Sequence, residues 1–444
     1  MNTDLLIGVL KRAVATGATA ADGYLIEESA FGATVRLGEV ETVTHSRDQR
    51  LSLRVFAGRA SAGASTSDLS RESLERVVDE ATSLAKVTAE DPFAGLPDPE
   101  ELITGVPDLD LADASPALSP EEKIELARRC EAAALESDPR ITNSEGAECH
   151  DRRARYLYAT SHGFARDYAT TSFGISVAPV ATRNGEMQRD YWYSNARKRS
   201  RVEDPATVGR TAATRAVRRL GARKVRTVAV PVVFDPETAA SLVRSIAGAA
   251  SGPSLYRRAS FLLDRLGTKI ASPAVTIVDD ALIPAGLGSR PFDGEGLSTG
   301  RTVLAREGVL ESYLLDTYSA RKLGMQSTHH AARDGSGVTV STSNLMLLPG
   351  RATPSELIGS IKRGLYVTEL IGFGVNNVTG DYSRGAAGLW IEDGELTYPV
   401  EEVTVAGNLL EMFQAIDAVG DDLVLRDRTA APTLMIGRMV VAGS

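Results

Sequence analysis

Apolar residues along the first 225 positions follow two rhythms. Leu5, Leu6, Val9, Leu10, Ala13 and Val14 recur at helical spacing behind Thr3, which reads as the cap of an opening helix. The period then shortens to two: Leu51, Leu53 and Val55 alternate with polar neighbours and Gly38 marks a turn, predicting antiparallel hairpins. Helical spacing returns in 65–88, where Leu74, Val77, Val78 and Ala81 share a face. It returns again in "SPEEKIELARRCEAAALES", with Ser119 as cap, Pro120 at the first position and Glu122 closing a capping box. Cys130 falls on the buried side of that helix. Residues 88–118, rich in Pro and acidic residues, read as an irregular connection or flap. Strands resume over 141–195 with Asn184-Gly185 as a hairpin turn, and "EDPATVGRTAATRAVRRLGARKV" is a helix running from an Asp204 cap and Pro205 to Gly221.

The pattern changes near residue 225. "TVAVPVVFDP" reads as a buried strand entering a helix, "PETAASLVRSIAGAA". Short strands follow, broken by Glu307-Gly308, Gly335–Gly337 and Asp393-Gly394, as in an antiparallel sheet that closes or wraps on itself. No repeat of solenoid period is present. The expected class is α+β in two domains: an N-terminal α/β domain with antiparallel hairpins over 1–224, and a C-terminal β-rich domain of wrapped antiparallel sheet over 225–444. A length of 444 residues agrees, being too long for one ordinary core.

Composition narrows the function classes. Apolar content of 43% and charge of 24% describe a globular chain. The 49 Lys+Arg against 58 Asp+Glu give a net charge of −9, which disfavours nucleic acid as a partner. Arg210, Arg215, Arg218, Arg219, Arg223 and Lys224 read as a solvated helix face with some pairing to acids. The two cysteines, Cys130 and Cys149, fit a reducing compartment and supply neither a disulfide framework nor a thiolate zinc site. The opening helix has no basic leader, and no apolar run approaches the roughly 18 residues of a membrane span, so the expected location is the cytoplasm, without a membrane partner.

Candidate chemistry is sparse. None of the five histidines sits in H-E-x-x-H or H-E-x-x-x-H, and His329-His330 are adjacent side chains that diverge, expected as a partly exposed loop pair. No nucleophile elbow, facing Cys–His pair or G-x-G-x-x-G phosphate loop is present. The densest polar stretch is "NNVTGDYSRGAAGLW", residues 376–390. Its Asp381, Tyr382, Ser383 and Arg384 could orient a peptide, cradle a carboxylate or stabilise an oxyanion. Alternatively, Asp381–Arg384 form a turn with internal hydrogen bonds in which Arg384 pairs a buried acid. Gly380, Gly385 and Gly388 would let another backbone approach closely.

Several long phrases in the same order, "SGPSLYRRASFLLDRLGTKI" (251–270), "GLGSRPFDGEGLSTGRTVLAREGVLESYLLDTYSARKLG" (286–324) and "GVNNVTGDYSRGAAGLWIEDGELTYPVEEVTVAGNLLEMFQAI" (374–416), resemble the TldD/PmbA family, the modulator of DNA gyrase group of peptidases. TldD-type members carry H-E-x-x-x-H on the helix after the first C-terminal strand, plus a later cysteine ligand. Here that helix has Glu237 with no flanking histidine, Ala239, Ala240 and Ser241 bring no ligand chemistry, and Ala406, Gly407 and Asn408 stand where the cysteine is sought. The resemblance therefore implies the PmbA (TldE) branch, with no catalytic residue, metal ligand or cofactor in this chain. It implies a TldD-type zinc peptidase subunit as heterodimeric partner, zinc in that partner, and a hollow interior that admits extended peptide. Asn376, Asn377, Asp381, Tyr382, Ser383, Arg384 and Asn408 are the residues expected to line it. Two alternatives stay open: a homodimeric, non-catalytic peptide-binding scaffold, and an autonomous hydrolase or amidase acting on a peptide or specialised metabolite.

Overall fold

Strand alternation in the first half builds one sheet with two unlike faces. In the computed structural model, residues 3–443 are described; residues 1, 2 and 444, where the expected domains begin and end, lie outside them. Helix α1 (Thr3–Ala15) includes Thr3 in its first turn, one place later than its expected role as cap. Strands β1 (Ala20–Arg36), β2 (Glu39–Ala57), β3 (Ala60–Thr66), β4 (Ile141–Thr160), β5 (Ala165–Arg183), β6 (Glu186–Arg189) and β7 (Trp192–Ala196) pair antiparallel throughout. Their order is β3-β2-β1-β4-β5-β6, with β7 also on β5. Because side chains alternate across a strand, odd-numbered Leu25, Leu51, Leu53, Val55 and Leu157 form one core with α1 and α2 (Arg71–Val87). Odd-numbered Val35, Cys149, Ile175 and Val177 form another with α3 (Pro120–Leu135) and α4 (Pro205–Val217). Even-numbered Asp22, Tyr24, Arg152, Tyr156, Tyr158 and Tyr168 are left on the opposite face.

The second half supplies what covers part of that face. Its helices are α5 (Pro236–Ala249), α6 (Gly252–Tyr256), α7 (Thr317–Leu323), α8 (Pro354–Gly359) and α9 (Leu409–Gln414). Its strands are β8 (Val228–Phe234), β9 (Ile277–Asp280), β10 (Arg301–Arg306), β11 (Val309–Leu310), β12 (Ala331–Asp334), β13 (Gly337–Val340), β14 (Leu345–Leu347), β15 (Arg363–Ile371), β16 (Asp381–Glu392), β17 (Glu395–Asn408), β18 (Ile416–Val419), β19 (Thr429–Ala430) and β20 (Leu434–Ala442). The path β17-β16-β15-β8-β20 closes on itself through a β17–β20 pairing, a barrel beside the smaller β11-β10-β9-β14-β19 sheet. Closure is what the sequence pattern leads one to expect. The β8–β15 and β14–β19 pairings are parallel, unlike the antiparallel expectation. Each joins strands far apart in the chain, and the intervening elements provide the long crossover that parallel pairing needs.

The local signals read from sequence recur as geometry. Leu37-Gly38, Asn184-Gly185, Glu307-Gly308 and Asp393-Gly394 all have positive φ at both positions, the requirement of a two-residue hairpin turn. Ser119 accepts from the Glu122 N–H at 3.2 Å while the Glu122 carboxylate accepts from the Ser119 N–H at 2.7 Å. The basic run in and after α4 divides: Arg210, Arg223 and Lys224 are exposed as expected, whereas Arg215 and Arg219 are a correction. Arg215 pairs Asp190 (3.2 Å) and Asp235 (3.6 Å), and Arg219 pairs Glu369 (2.5 Å), so both are drawn inward against acids rather than left to solvent. Residues 88–118 form an irregular strap across both halves: the Thr171 N–H donates to Leu111 O (3.0 Å) and the Ala285 N–H to Leu109 O (2.8 Å).

A buried charge cluster latches the halves together. Asp22 on β1 accepts from Arg54 Nη2 (2.7 Å), Arg333 Nη2 on β12 (2.6 Å) and the Tyr158 hydroxyl (3.0 Å). Glu295 lies 3.4 Å from Arg54 and balances the second guanidinium. Burial opposes ionisation of Asp22, but Arg333 and Arg54 outweigh it and hold the carboxyl far below the usual carboxylate range.

Candidate functional site

Helix α5 begins where β8 ends. Asp235 caps it, accepting from the Thr238 N–H (2.9 Å) and hydroxyl (2.8 Å). Burial pushes the Asp235 carboxyl up to about 6 against the opposing pull of Arg215. On the next residues, Glu237 accepts from the Tyr193 hydroxyl of β7 at 2.9 Å, which brings the first sheet to the start of the helix. Burial first, then the Glu237 charge, raise that phenol well above its ordinary value. One turn along, the Ser241 hydroxyl turns back to donate to Thr238 O (2.7 Å), while Ala239 and Ala240 are buried in the barrel core.

The polar stretch lies at the other end of α5. Asn377 accepts the Phe261 N–H on its backbone oxygen (3.0 Å), and its side-chain amide lies beside Gly248. Asn376, Asp381 and Asn408 gather around the turn at 377–379, with Asp381 and Asn408 paired across β16 and β17. The Asn376 Oδ1 accepts from the Val378 N–H (2.9 Å), Asp381 Oδ2 from the Thr379 hydroxyl (2.6 Å), and Asn408 Nδ2 donates to Thr379 O (2.9 Å). Asn408 also caps α9, accepting from the Leu410 N–H at 3.1 Å. Ser383 is exposed on β16, its N–H donating to Gly374 O (2.7 Å). Tyr382 points inward, 2% exposed, and burial raises its phenol while Arg384 beside it opposes the rise. Arg384 donates to Leu370 O at 3.1 Å. Among the described residues no acid lies within salt-bridge distance of it, so the expected pairing with a buried acid gives way to a backbone carbonyl. The backbone that approaches the glycines is the barrel's own: a Cβ on Gly388 would stand 1.9 Å from Tyr366 O of β15.

A cleft of about 620 Å³ opens between the even-numbered face of the first sheet and the loops of the second half. Tyr156 stacks on Tyr168 with centroids 5.0 Å apart, and Phe292 meets Tyr168 edge-on at 5.2 Å. Among the described residues, its walls include none of the seven positions expected to line an interior. His330 also departs from expectation. It is buried, with Nε2 3.2 Å from Asp279 Oδ2 and Nδ1 3.0 Å from the Thr328 hydroxyl, because Asp279 on β9 needs a buried partner.

Three family models match in chain order: the PmbA/TldA metallopeptidase domain 1 over residues 21–85, central domain over 113–220 and C-terminal domain over 227–443. Metalloprotease PmbA of Escherichia coli O157:H7 is 38% identical over 442 residues, 98% of this chain and 96% of its own. The chain belongs to the PmbA/TldD family. Among solved structures, a Bacteroides thetaiotaomicron protein described as a modulator of DNA gyrase superposes with a TM-score of 0.93 at 29% identity, covering 100% of this chain and 99% of that one. TldE of Thermococcus kodakarensis shares the fold, with a TM-score of 0.87 at 20% identity over 99% and 100% of the two chains.

The PmbA/TldD family's metalloprotease name implies a metal, and the donors on α5 do not fit one. Glu237 is the helix's one carboxylate and is already engaged by Tyr193. No imidazole or thiolate joins it, whereas a hydrolytic zinc takes about three such ligands. Among the described residues no three His, Cys, Asp or Glu side chains converge anywhere. Both thiols are buried on the helix side of the first sheet, and burial pushes Cys130 up to about 12 and Cys149 up to about 11, far from thiolate chemistry at neutral pH. The Tyr193–Glu237 contact and the cleft were missed by sequence reasoning. The even-numbered Tyr and Arg positions of β1, β4 and β5 were the available signal for the cleft, since alternation alone puts them on one face.

Proposed function

We propose that this chain is the metal-free partner of a TldD-type zinc metallopeptidase subunit, working in the cytoplasm as part of a chamber that holds unfolded or extended peptide. The carrying observation is α5: a family match spanning its domain, with Glu237 present but Ala239, Ala240 and Ser241 where metal ligands would be needed. The zinc and the water it activates then belong to the partner, and this chain supplies wall and peptide contacts.

Two surfaces support a partner. Residues 39–50 of β2 pair with β1 alone, are exposed on both faces, and leave a bare strand edge, since β3 joins β2 only from Leu51 onward. Such an edge is a ready template for strand addition, from a subunit or a peptide. Beside the polar turn, Ile371, Phe373 and Val378 are 56%, 101% and 53% exposed, apolar area that an assembly would cover. The seven residues Asn376, Asn377, Asp381, Tyr382, Ser383, Arg384 and Asn408 act in this reading as a rigid rim at the end of α5. Elemental analysis of the purified chain tests the proposal: less than a tenth of an equivalent of zinc is expected, and tightly held stoichiometric zinc overturns it.

A further inference from the structure

Three arginines that line the cleft have no carboxylate partner among the described residues. Arg54, Arg152, Arg215 and Arg333 each sit within 4.0 Å of a carboxylate. Arg197, Arg290 and Arg428 line the cleft and, among the described residues, have no carboxylate at that distance. Their hydrogen bonds go to backbone carbonyls: Arg197 to Thr171 O (3.2 Å), Gly286 O (3.3 Å) and Leu287 O (2.5 Å), Arg290 to Ser341 O (2.8 Å), and Arg428 to Thr342 O (2.8 Å). Arg197 and Arg290 are each 9% exposed, and the Arg290 Nε has no hydrogen-bond partner among the described residues. An unpartnered buried donor at the wall of a cleft calls for an acceptor that the chain itself does not supply.

Nearby acids are committed elsewhere. Asp293 accepts from the N–H groups of Glu295, Leu297 and Ala331, Asp279 from that of Ser343, and Asp427 from that of Arg428 itself. Burial, and after it neighbouring cations, lower the proton affinity of Arg197 and Arg428: Arg428 and Arg152 act on Arg197, Arg290 on Arg428. Three guanidiniums thus meet at the cleft with no carboxylate among the described residues in contact with them; Asp279 and Asp427 act on the Arg428 guanidinium only at longer range, unlike the directly paired arginines of the Asp22 latch. Tyr156, Tyr168 and Phe292 form an aromatic wall next to the three guanidiniums, so the cleft suits a ligand with an anionic end and an apolar body.

We infer that Arg197, Arg290 and Arg428 form a receptor for a carboxylate on an extended peptide. The inference rests on the peptide-holding reading above and deepens it by giving the peptide a polarity: a carboxylate enters the cleft while an aromatic or aliphatic neighbour packs on the tyrosines. Guanidinium forks match a planar carboxylate in two parallel hydrogen bonds. The carboxylate is the chain's C-terminus or an Asp or Glu side chain.

Fluorescence anisotropy on the full chain tests it with three labelled pentapeptides. One, Ala-Val-Ala-Tyr-Phe, ends in a free acid; the second is its C-terminal amide; the third is the amide with Glu at the fourth position. The free acid is expected to bind ten- to a hundredfold more tightly than the neutral amide, the size of a lost charge-assisted contact. If the Glu amide matches the acid, the side chain is an accepted source; if it matches the neutral amide, the C-terminus is the sole source. Arg290→Met and Arg428→Gln should each erase most of the preference. Arg428 lies at the exposed mouth, so its variant keeps the test readable should the buried substitution fail to fold. Binding of both the free acid and the Glu amide no tighter than the neutral amide, or a preference that survives in folded Arg428→Gln and Arg290→Met, overturns the receptor. The subunit reading is separable. A mixture with a TldD-type subunit that cleaves acid and amide peptides equally sinks the receptor alone. No complex with that subunit, while the chain still prefers the acid, sinks the subunit reading alone.

Discussion

Asp22→Ala should be among the most damaging single substitutions in the protein. The side chain is fully buried and is shared by Arg54, Arg333 and the Tyr158 hydroxyl. Its removal leaves two guanidiniums facing one remaining acid, Glu295, with Arg333 only 4% exposed and stranded. Stranding one partner of a buried pair costs about 3–5 kcal/mol, and the orphaned Tyr158 hydroxyl adds about 1 kcal/mol. The expected loss is about 4–6 kcal/mol, concentrated where the halves meet. The assay is urea unfolding followed by tryptophan fluorescence, because the two tryptophans report separately: Trp192 on β7 and Trp390, 1% exposed, inside the barrel. Single-tryptophan versions of the parent should show one midpoint; in Asp22→Ala the two midpoints should fall and separate. Adding Arg333→Met to Asp22→Ala should recover about 2 kcal/mol by removing the stranded charge. A loss below about 1 kcal/mol, or simple additivity of the two substitutions, refutes the latch.

Other consequences are simpler to measure. Asp235 and Asp293 are pushed up to about 6 by burial, so the folded state binds their protons more tightly than the unfolded state. Stability should therefore rise as the pH falls from 7.5 through 6 and level near 4, with each group contributing on the order of 2 kcal/mol; Asp293→Asn should shrink the slope, and a flat profile contradicts the assignment. Cys130 and Cys149 should resist a thiol-specific disulfide reagent at pH 8 in the native protein and react fully once denatured, whereas rapid native reaction of either would place it outside the core. Gly388→Ala should destabilise by about 2–3 kcal/mol because its Cβ would meet Tyr366 O at 1.9 Å. Gly385→Ala, whose Cβ would meet the Ile371 side chain at 3.3 Å, should be milder, and a reversed order would refute the barrel register.

The contrast between legible and illegible features has a physical cause. Caps and hairpin turns depend on two to four consecutive residues, so Ser119, Asp204, Asn184-Gly185 and Asp393-Gly394 could be read directly. Alternation assigns residues to a face but leaves open what lies across from it. Asp22 and Arg333 are 311 positions apart, and nothing local in either segment signals the other. His330 looked like half of an exposed pair because its partner, Asp279, comes from a distant strand. The inward pairing of Arg215 and Arg219 is illegible for the same reason, since Asp190, Asp235 and Glu369 all arrive from other elements. The polar stretch at 376–390 was visible by composition, yet composition could not distinguish a reactive cluster from a self-bonded turn. Its bonds to Val378 and Thr379 close a turn just before β16, whereas Asp381–Arg384, expected as a turn, lie on that strand, and Arg384 reaches Leu370 O of β15.

Peptide turnover during titration bears most directly on the central claim that this chain completes another subunit's metallopeptidase. The purified chain is added to a fixed amount of a TldD-type subunit carrying H-E-x-x-x-H, with an unfolded peptide as substrate. The account predicts no turnover by this chain alone and a rise that saturates at one copy per partner copy. Turnover by this chain without the partner, or partner activity indifferent to its addition, would contradict it.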